Sequence, residues 1–121
     1  MSEPLMAIPF IEQAMRLDPA FRQHYLHFLG MAYLLDGQFD KAAALFRERI
    51  ALNPTTDLSR AYLASALGQL GEPEQAGEIW RELKEINPRY AAADHLRRMP
   101  LRPEDVERIL DGLRKAGLPA A

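Results

Sequence analysis

Apolar residues recur along this chain at the spacing of a helix. The clearest stripe lies near the carboxyl end, at i, i+3, i+4 and i+7, and consists of Val106, Ile109, Leu110 and Leu113. That spacing predicts one buried helix face. Pro103 suits the first turn of a helix, and Gly117 suits its end. We therefore predict a helix over 103–116.

Two stretches repeat the same pattern with a period of 34 residues. When Phe28–Pro54 is laid over Tyr62–Pro88, eight of 27 positions are identical, against about two expected from composition. Gly30 lets two helix backbones approach closely, and Phe46 is large enough to fill the space beside it. In the second copy the aligned residues are the small Ala64 and the aromatic Trp80. Each copy is therefore predicted to form a helical hairpin.

Glycine and proline mark the ends of the predicted helices. Gly37 and Gly71 occupy the position after the first helix of each copy, where a left-handed backbone conformation favours glycine. Asn-Pro at 53–54 and 87–88 ends the second helix, because the residue before proline avoids the helical region. The two repeats are predicted to span 22–54 and 57–88.

The ends of the chain read as incomplete units of the same repeat. Residues 9–18 read as the closing half of an earlier repeat. Pro9 is expected in the first turn of that helix, since proline in a helix interior loses a hydrogen bond. Residues 89–98 predict a partial repeat that Met99-Pro100 ends, and helix 103–116 is expected to cap the last hairpin. Together these parts form one predicted domain, 1–121.

Composition supports an all-α fold. The chain has 18 alanines and 18 leucines but one valine and two threonines, so helix formers far outnumber the β-branched residues typical of strands. A net charge of -2 does not favour binding to nucleic acid or anionic lipid. The longest apolar run, Phe28–Leu35, is too short to span a membrane. The acidic start, Met1-Ser2-Glu3-Pro4, differs from a signal peptide, so a cytoplasmic location is expected.

The repeat resembles a known family. Its motif reads Leu26-x-x-Leu29-Gly30-x-x-Tyr33-x-x-x-Gly37-x-Phe39-x-x-Ala42-x-x-x-Phe46, followed by Leu52-Asn53-Pro54, and this order is similar to a tetratricopeptide repeat. The resemblance implies a right-handed α-α superhelix of helical hairpins with a carboxyl-terminal capping helix. It also implies a role in binding other proteins.

In tetratricopeptide repeats the first helix of each hairpin usually lines a concave groove. By this analogy the candidate partner-binding residues are His24, His27, Met31, Leu34, Leu35, Leu58, Ala61, Ser65, Gly68, Gln69 and His95. Chaperone-binding members hold a peptide carboxylate with asparagine and basic residues, and these groove positions lack that set. Three interpretations stay open: the groove takes a peptide of a protein partner, it takes a second copy of this chain, or it takes no ligand.

No catalytic, cofactor or metal site is predicted. His24 and His27 share a helix face, but two imidazoles without a cysteine or nearby carboxylate make an incomplete metal site, so groove or surface histidines are the preferred interpretation. Ser59 and Ser65 lie on a predicted helix and lack the sharp turn that exposes a nucleophilic serine. The chain contains no cysteine, which excludes a thiol nucleophile, a disulfide framework and a thiolate zinc site.

A narrower resemblance rests on three segments. Phe28–Leu35, Phe46–Arg49 and Ile109–Pro119 are similar to the carboxyl-terminal repeat region of bacterial class III adenylate/guanylate cyclases. The resemblance implies a non-catalytic regulatory or scaffolding part of a signalling protein. Similar repeat regions also follow winged-helix transcription regulators, and a structural module for homo-oligomerisation is a further alternative.

Overall fold

The computed structural model describes residues 3–121, so Met1 and Ser2 of the predicted domain lie outside the described residues. The described chain is all-α, with no strand between residues 3 and 121. A 3₁₀ turn at Pro19–Phe21 joins the first two helices. The seven helices of this segment are α1 (Glu3–Leu17), α2 (Arg22–Leu35), α3 (Phe39–Leu52), α4 (Leu58–Gln69), α5 (Pro73–Ile86), α6 (Ala92–Arg97) and α7 (Pro103–Lys115).

Helices α2 and α3 form one hairpin, and α4 and α5 form the next. Gly37 (φ 87°) and Gly71 (φ 75°) adopt the left-handed conformation directly after the first helix of each hairpin, which most side chains disfavour. The second helices stop before Asn53 and Asn87. The predicted pairs of helices and their ends are confirmed.

The two hairpins stack through α3 and α4. Within the first hairpin, a Cβ atom added to Gly30 would lie 2.8 Å from the Phe46 ring. The backbones of α2 and α3 therefore approach closely at this pair of a small and a large residue, as predicted. Helix α4 occupies the centre of the stack and is buried at every position from Ser59 to Gly68. Such a helix is core, because it exposes no face to water.

Helix α7 forms where the apolar stripe predicted it and packs along α4. Two glycines allow a very close crossing: a Cβ atom on Gly112 would lie 2.3 Å from the Ser65 carbonyl oxygen, and one on Gly68 would overlap the Gly112 carbonyl. The Ser65 hydroxyl donates a 2.7 Å hydrogen bond to the carbonyl of Ile109. Thus α7 covers the first helix of the last hairpin, on the side where a groove was expected.

Two predicted helix boundaries were wrong. Helix α1 begins at Glu3 and continues through Pro9. A proline inside a helix costs about 3 kcal/mol, but apolar side chains on both sides of it, including Ile8 and Ile11, pack against α2, and each buried one stabilises by about 1.5–3 kcal/mol. At the other end, α6 begins only at Ala92, because the Tyr90 N–H closes a turn onto the Asn87 carbonyl.

Candidate interaction surface

Five of the predicted groove residues are buried and do not line an open surface. These are His27, Leu34, Ala61, Ser65 and Gly68. Ala61, Ser65 and Gly68 belong to α4, which α3, α5 and α7 surround. The first helices of the hairpins do carry these residues, but the predicted capping helix α7 lies directly on α4 and closes the groove there.

The other predicted groove residues remain accessible to different degrees. His24 is exposed, whereas Met31, Leu35, Leu58, Gln69 and His95 are half-buried. Gln69 is held by α7, because Lys115 donates a 2.8 Å hydrogen bond to its side-chain oxygen. His95 packs against the Tyr90 ring at 5.3 Å. The accessible part of the predicted groove is therefore the face of α2 that carries His24 and Met31.

A cavity of about 610 Å³ lies between α7 and the turn after α2. Asp36 and Phe39 line it on one side, and Glu107, Arg108 and Asp111 line it on the other. The charges of α7 largely neutralise one another: Glu107 pairs with Arg114 at 2.9 Å, and Asp111 pairs with Lys115 at 3.3 Å. Arg108 donates to the main-chain carbonyl of Leu35. The cavity lining nevertheless holds more acidic than basic side chains, so the cavity is polar with an excess of negative charge.

His27 takes part in a buried polar contact between three helices. Its Nδ1 lies 2.7 Å from the Ser59 hydroxyl, and Arg49 Nη1 donates to the same oxygen at 2.9 Å. Burial, with help from the nearby charges of Arg49 and His24, lowers the pKa of His27 to about 4. The ring is therefore neutral at pH 7, with one nitrogen already bonded to Ser59.

The described residues contain no group of three or more histidine, cysteine or acidic side chains that could hold a metal ion. His24 and His27 were predicted to share a helix face. His24 is exposed to solvent, whereas the His27 ring is buried. Ser59 and Ser65 are both buried and hydrogen-bonded. Between residues 3 and 121, no helix combines the length and apolar character needed to cross a membrane.

An exposed apolar surface lies on the amino-terminal helices. Five large side chains on it are more than half exposed: Met6, Phe10, Leu17, Phe21 and Phe28. We call this set the amino-terminal apolar surface. Met6, Phe10 and Leu17 share the face of α1 opposite Ile8 and Met15, as their spacing requires. Sequence reasoning predicted exposed apolar surface at this end but did not name these five residues, although apolar residues on both faces of α1 were a visible signal.

Comparison with known proteins identifies the two hairpins. The model of the tetratricopeptide repeat family matches residues 23–48 and 58–82, which lie within the α2–α3 and α4–α5 hairpins. The match supports a tetratricopeptide repeat at each of the two segments. No curated protein matches the chain. Tetratricopeptide repeats generally serve as non-catalytic scaffolds for protein–protein interaction, and the resemblance predicted from the repeated motif is confirmed at this level.

Proposed function

We propose that this chain is a non-catalytic protein–protein interaction module that binds its partner through the amino-terminal apolar surface. One contrast carries the proposal. Helix α7 covers α4 in the second tetratricopeptide repeat, whereas the surface formed by α1, the 3₁₀ turn and α2 has no such cover among the described residues. Large apolar side chains left exposed on neighbouring elements are typical of interaction sites.

The chemistry of this surface favours an apolar partner with some polar contacts. Phe21 packs beside His24 with ring centroids 6.0 Å apart, and Phe28 lies one turn further along α2. Aromatic side chains commonly anchor protein interfaces because they bury much area at low entropic cost. We propose that a peptide or protein partner contacts these rings together with the accessible groove residues Met31 and Leu35.

A finer proposal concerns the biological setting. The segments Phe28–Leu35, Phe46–Arg49 and Ile109–Pro119 support a carboxyl-terminal regulatory or scaffolding role in a cytoplasmic bacterial signalling protein similar to class III cyclases. A repeat region of a transcription regulator is the alternative. Sequencing the reading frame around this segment tests both settings. A cyclase catalytic domain beside it supports the first, and a winged-helix domain supports the second. If the reading frame encodes no domain of either kind, both settings are contradicted.

Homo-oligomerisation is the second candidate function, and the same surface supports it. A second copy placed against α1 would cover Met6, Phe10 and Leu17, the stripe that faces away from the rest of the described fold. Light scattering over a dilution series separates the two candidates. A mass that falls from dimer to monomer on dilution supports self-association. A monomer at all concentrations contradicts self-association and favours binding of a different protein.

The surface itself is tested with Phe10→Ser and Leu17→Ser combined. Both side chains are at least 75% exposed, so the free energy of unfolding should change by less than about 1 kcal/mol. Self-association, or binding of a partner purified with the wild-type chain, should weaken at least tenfold. Leu70→Ser, which removes an exposed leucine at the far end of α4, is the matched control and should bind as wild type. Unchanged binding by the double variant would contradict the proposed surface.

A further inference from the structure

Arg49 is a buried cation without a carboxylate partner. It lies in the last turn of α3, and only 9% of its surface is exposed. Among the described residues no acidic side chain forms an ion pair with it, and its hydrogen-bond partner is the neutral hydroxyl of Ser59 at 2.9 Å. A charge removed from water is normally balanced by an opposite charge.

The second buried arginine of the described fold, Arg60, does have an acidic partner. The Arg60 Nε donates to Glu82 at 3.1 Å, and its Nη1 donates to the Thr56 carbonyl at 2.7 Å. Both ends of that guanidinium are therefore engaged, and its charge is neutralised. Arg49 lies at the preceding helix junction and lacks an equivalent acid.

The groups around Arg49 do not supply the missing charge. His27 carries no negative charge, and Ser59 accepts the Arg49 hydrogen bond, which leaves the serine hydrogen to be donated to Nδ1 of the neutral His27 ring. The carbonyl end of α3 contributes roughly half of a negative charge at most. A net positive charge therefore remains at the junction of α2, α3 and α4.

The hydrogen bonds of Arg49 also indicate the shape of the missing partner. Because Nη1 is held by Ser59, the other edge of the guanidinium, formed by Nε and Nη2, is left over. Its Nε is buried and has no hydrogen-bond partner. Two parallel N–H groups on that edge match the two oxygens of a carboxylate.

We propose that the Arg49 side chain, fixed by Ser59, is a binding site for a carboxylate group. The carboxylate is supplied either by a free small acid or by an acidic side chain of a protein partner. It would receive two hydrogen bonds from the Nε–Nη2 edge. The proposal does not depend on the proposed function of the amino-terminal apolar surface.

Titration of the whole chain with sodium acetate tests the site, with sodium chloride at equal ionic strength as the reference. The ¹⁵N–¹H signal of the Arg49 Nε–H should shift and saturate with acetate, while that of Arg47, an exposed arginine on the same helix, should not. At ten times the Kd, acetate should raise the Tm by roughly 5 °C. An Arg49 signal that moves no more than the Arg47 signal would overturn the proposal.

Variants give a second measurement. Arg49→Met should abolish the difference in Tm between acetate and chloride. Arg49→Lys should reduce that difference, because lysine cannot form the bidentate hydrogen bonds of a guanidinium group. Arg47→Met is the matched control and should keep the full difference. An equal acetate effect in Arg49→Met and wild type would contradict the site. If Arg49→Met does not fold, the wild-type titration still decides.

Peptides with blocked ends separate the two sources of the carboxylate. A six-residue peptide with one central glutamate is compared with its glutamine counterpart on the same Arg49 signal. A shift with the glutamate peptide alone, at lower concentration than acetate, identifies an acidic side chain of a partner. Saturation by acetate without any effect of the peptide supports the site with a free small acid as its ligand.

Discussion

The contact between His27, Ser59 and Arg49 illustrates how a single buried residue ties stability to pH. His27 is 6% exposed, and burial together with the Arg49 charge lowers its pKa from 6.5 to about 4. Unfolding releases the ring into water, where its pKa returns to the higher value. Between these two pKa values the unfolded chain binds a proton that the folded chain does not.

We expect the free energy of unfolding to fall by about 2 kcal/mol between pH 7 and pH 5 because of His27. The stabilisation is complete above pH 6.5 and is lost as the pH drops towards 4. Urea unfolding followed by circular dichroism at pH 7, 6 and 5 measures it. His27→Gln cannot take up the proton, so its stability should change much less over that range. A wild-type chain whose stability follows that of the variant would show that His27 is not responsible.

At the scale of elements, the crossing of α7 over α4 depends on the absence of two side chains. Gly112 and Gly68 bring the backbones so close that a methyl group at either position would overlap a carbonyl oxygen of the facing helix. Backbone cannot move aside as a flexible side chain can. The crossing is therefore intolerant of even the smallest substitution.

Gly112→Ala should lower the free energy of unfolding by at least about 2 kcal/mol, the upper part of the usual range for overpacking. Gly77→Ala is the matched control, since Gly77 is also inside a helix but nothing lies within 4 Å of its added Cβ. That change should stabilise the chain by up to about 1 kcal/mol, because alanine is the better helix former. Thermal unfolding of both variants measures the contrast. Equal effects of the two substitutions would contradict the close crossing.

Local sequence signals predicted most elements and a capping role for α7 on the last hairpin, but not that α7 packs along α4 and closes the predicted groove. Gly37, Gly71 and the two Asn-Pro pairs act within one turn of their own position, so the hairpins followed from them directly. Pro9 was misplaced because packing of α1 against α2 outweighs its local cost. The position of α7 depends on a contact between Gly68 and Gly112, far apart in sequence, and no local pattern reports such a contact.

At the scale of the whole molecule, the same long-range contact decides which surface is open. The prediction of a groove over Ala61 and Ser65 followed from the repeat motif, which describes a hairpin but not what covers it. Once α7 occupies that side, the exposed apolar area of the described chain is concentrated on α1, the 3₁₀ turn and α2. Exposed apolar surface at the amino-terminal end was expected from the repeat pattern, but the residues that form it were not, because the exposure of a side chain depends on how the helices pack as well as on residue type.

The burial of α4 on all sides has a further consequence for its amide hydrogens. Neighbouring helices cover the ten consecutive positions from Ser59 to Gly68, so no partial opening exposes this segment without dismantling the stack. Its amides should exchange with deuterium only through global unfolding, whereas those of α1 should exchange through smaller openings. Exchange followed by NMR would then report the full unfolding free energy from α4, and protection of α4 no greater than that of α1 would contradict its central position.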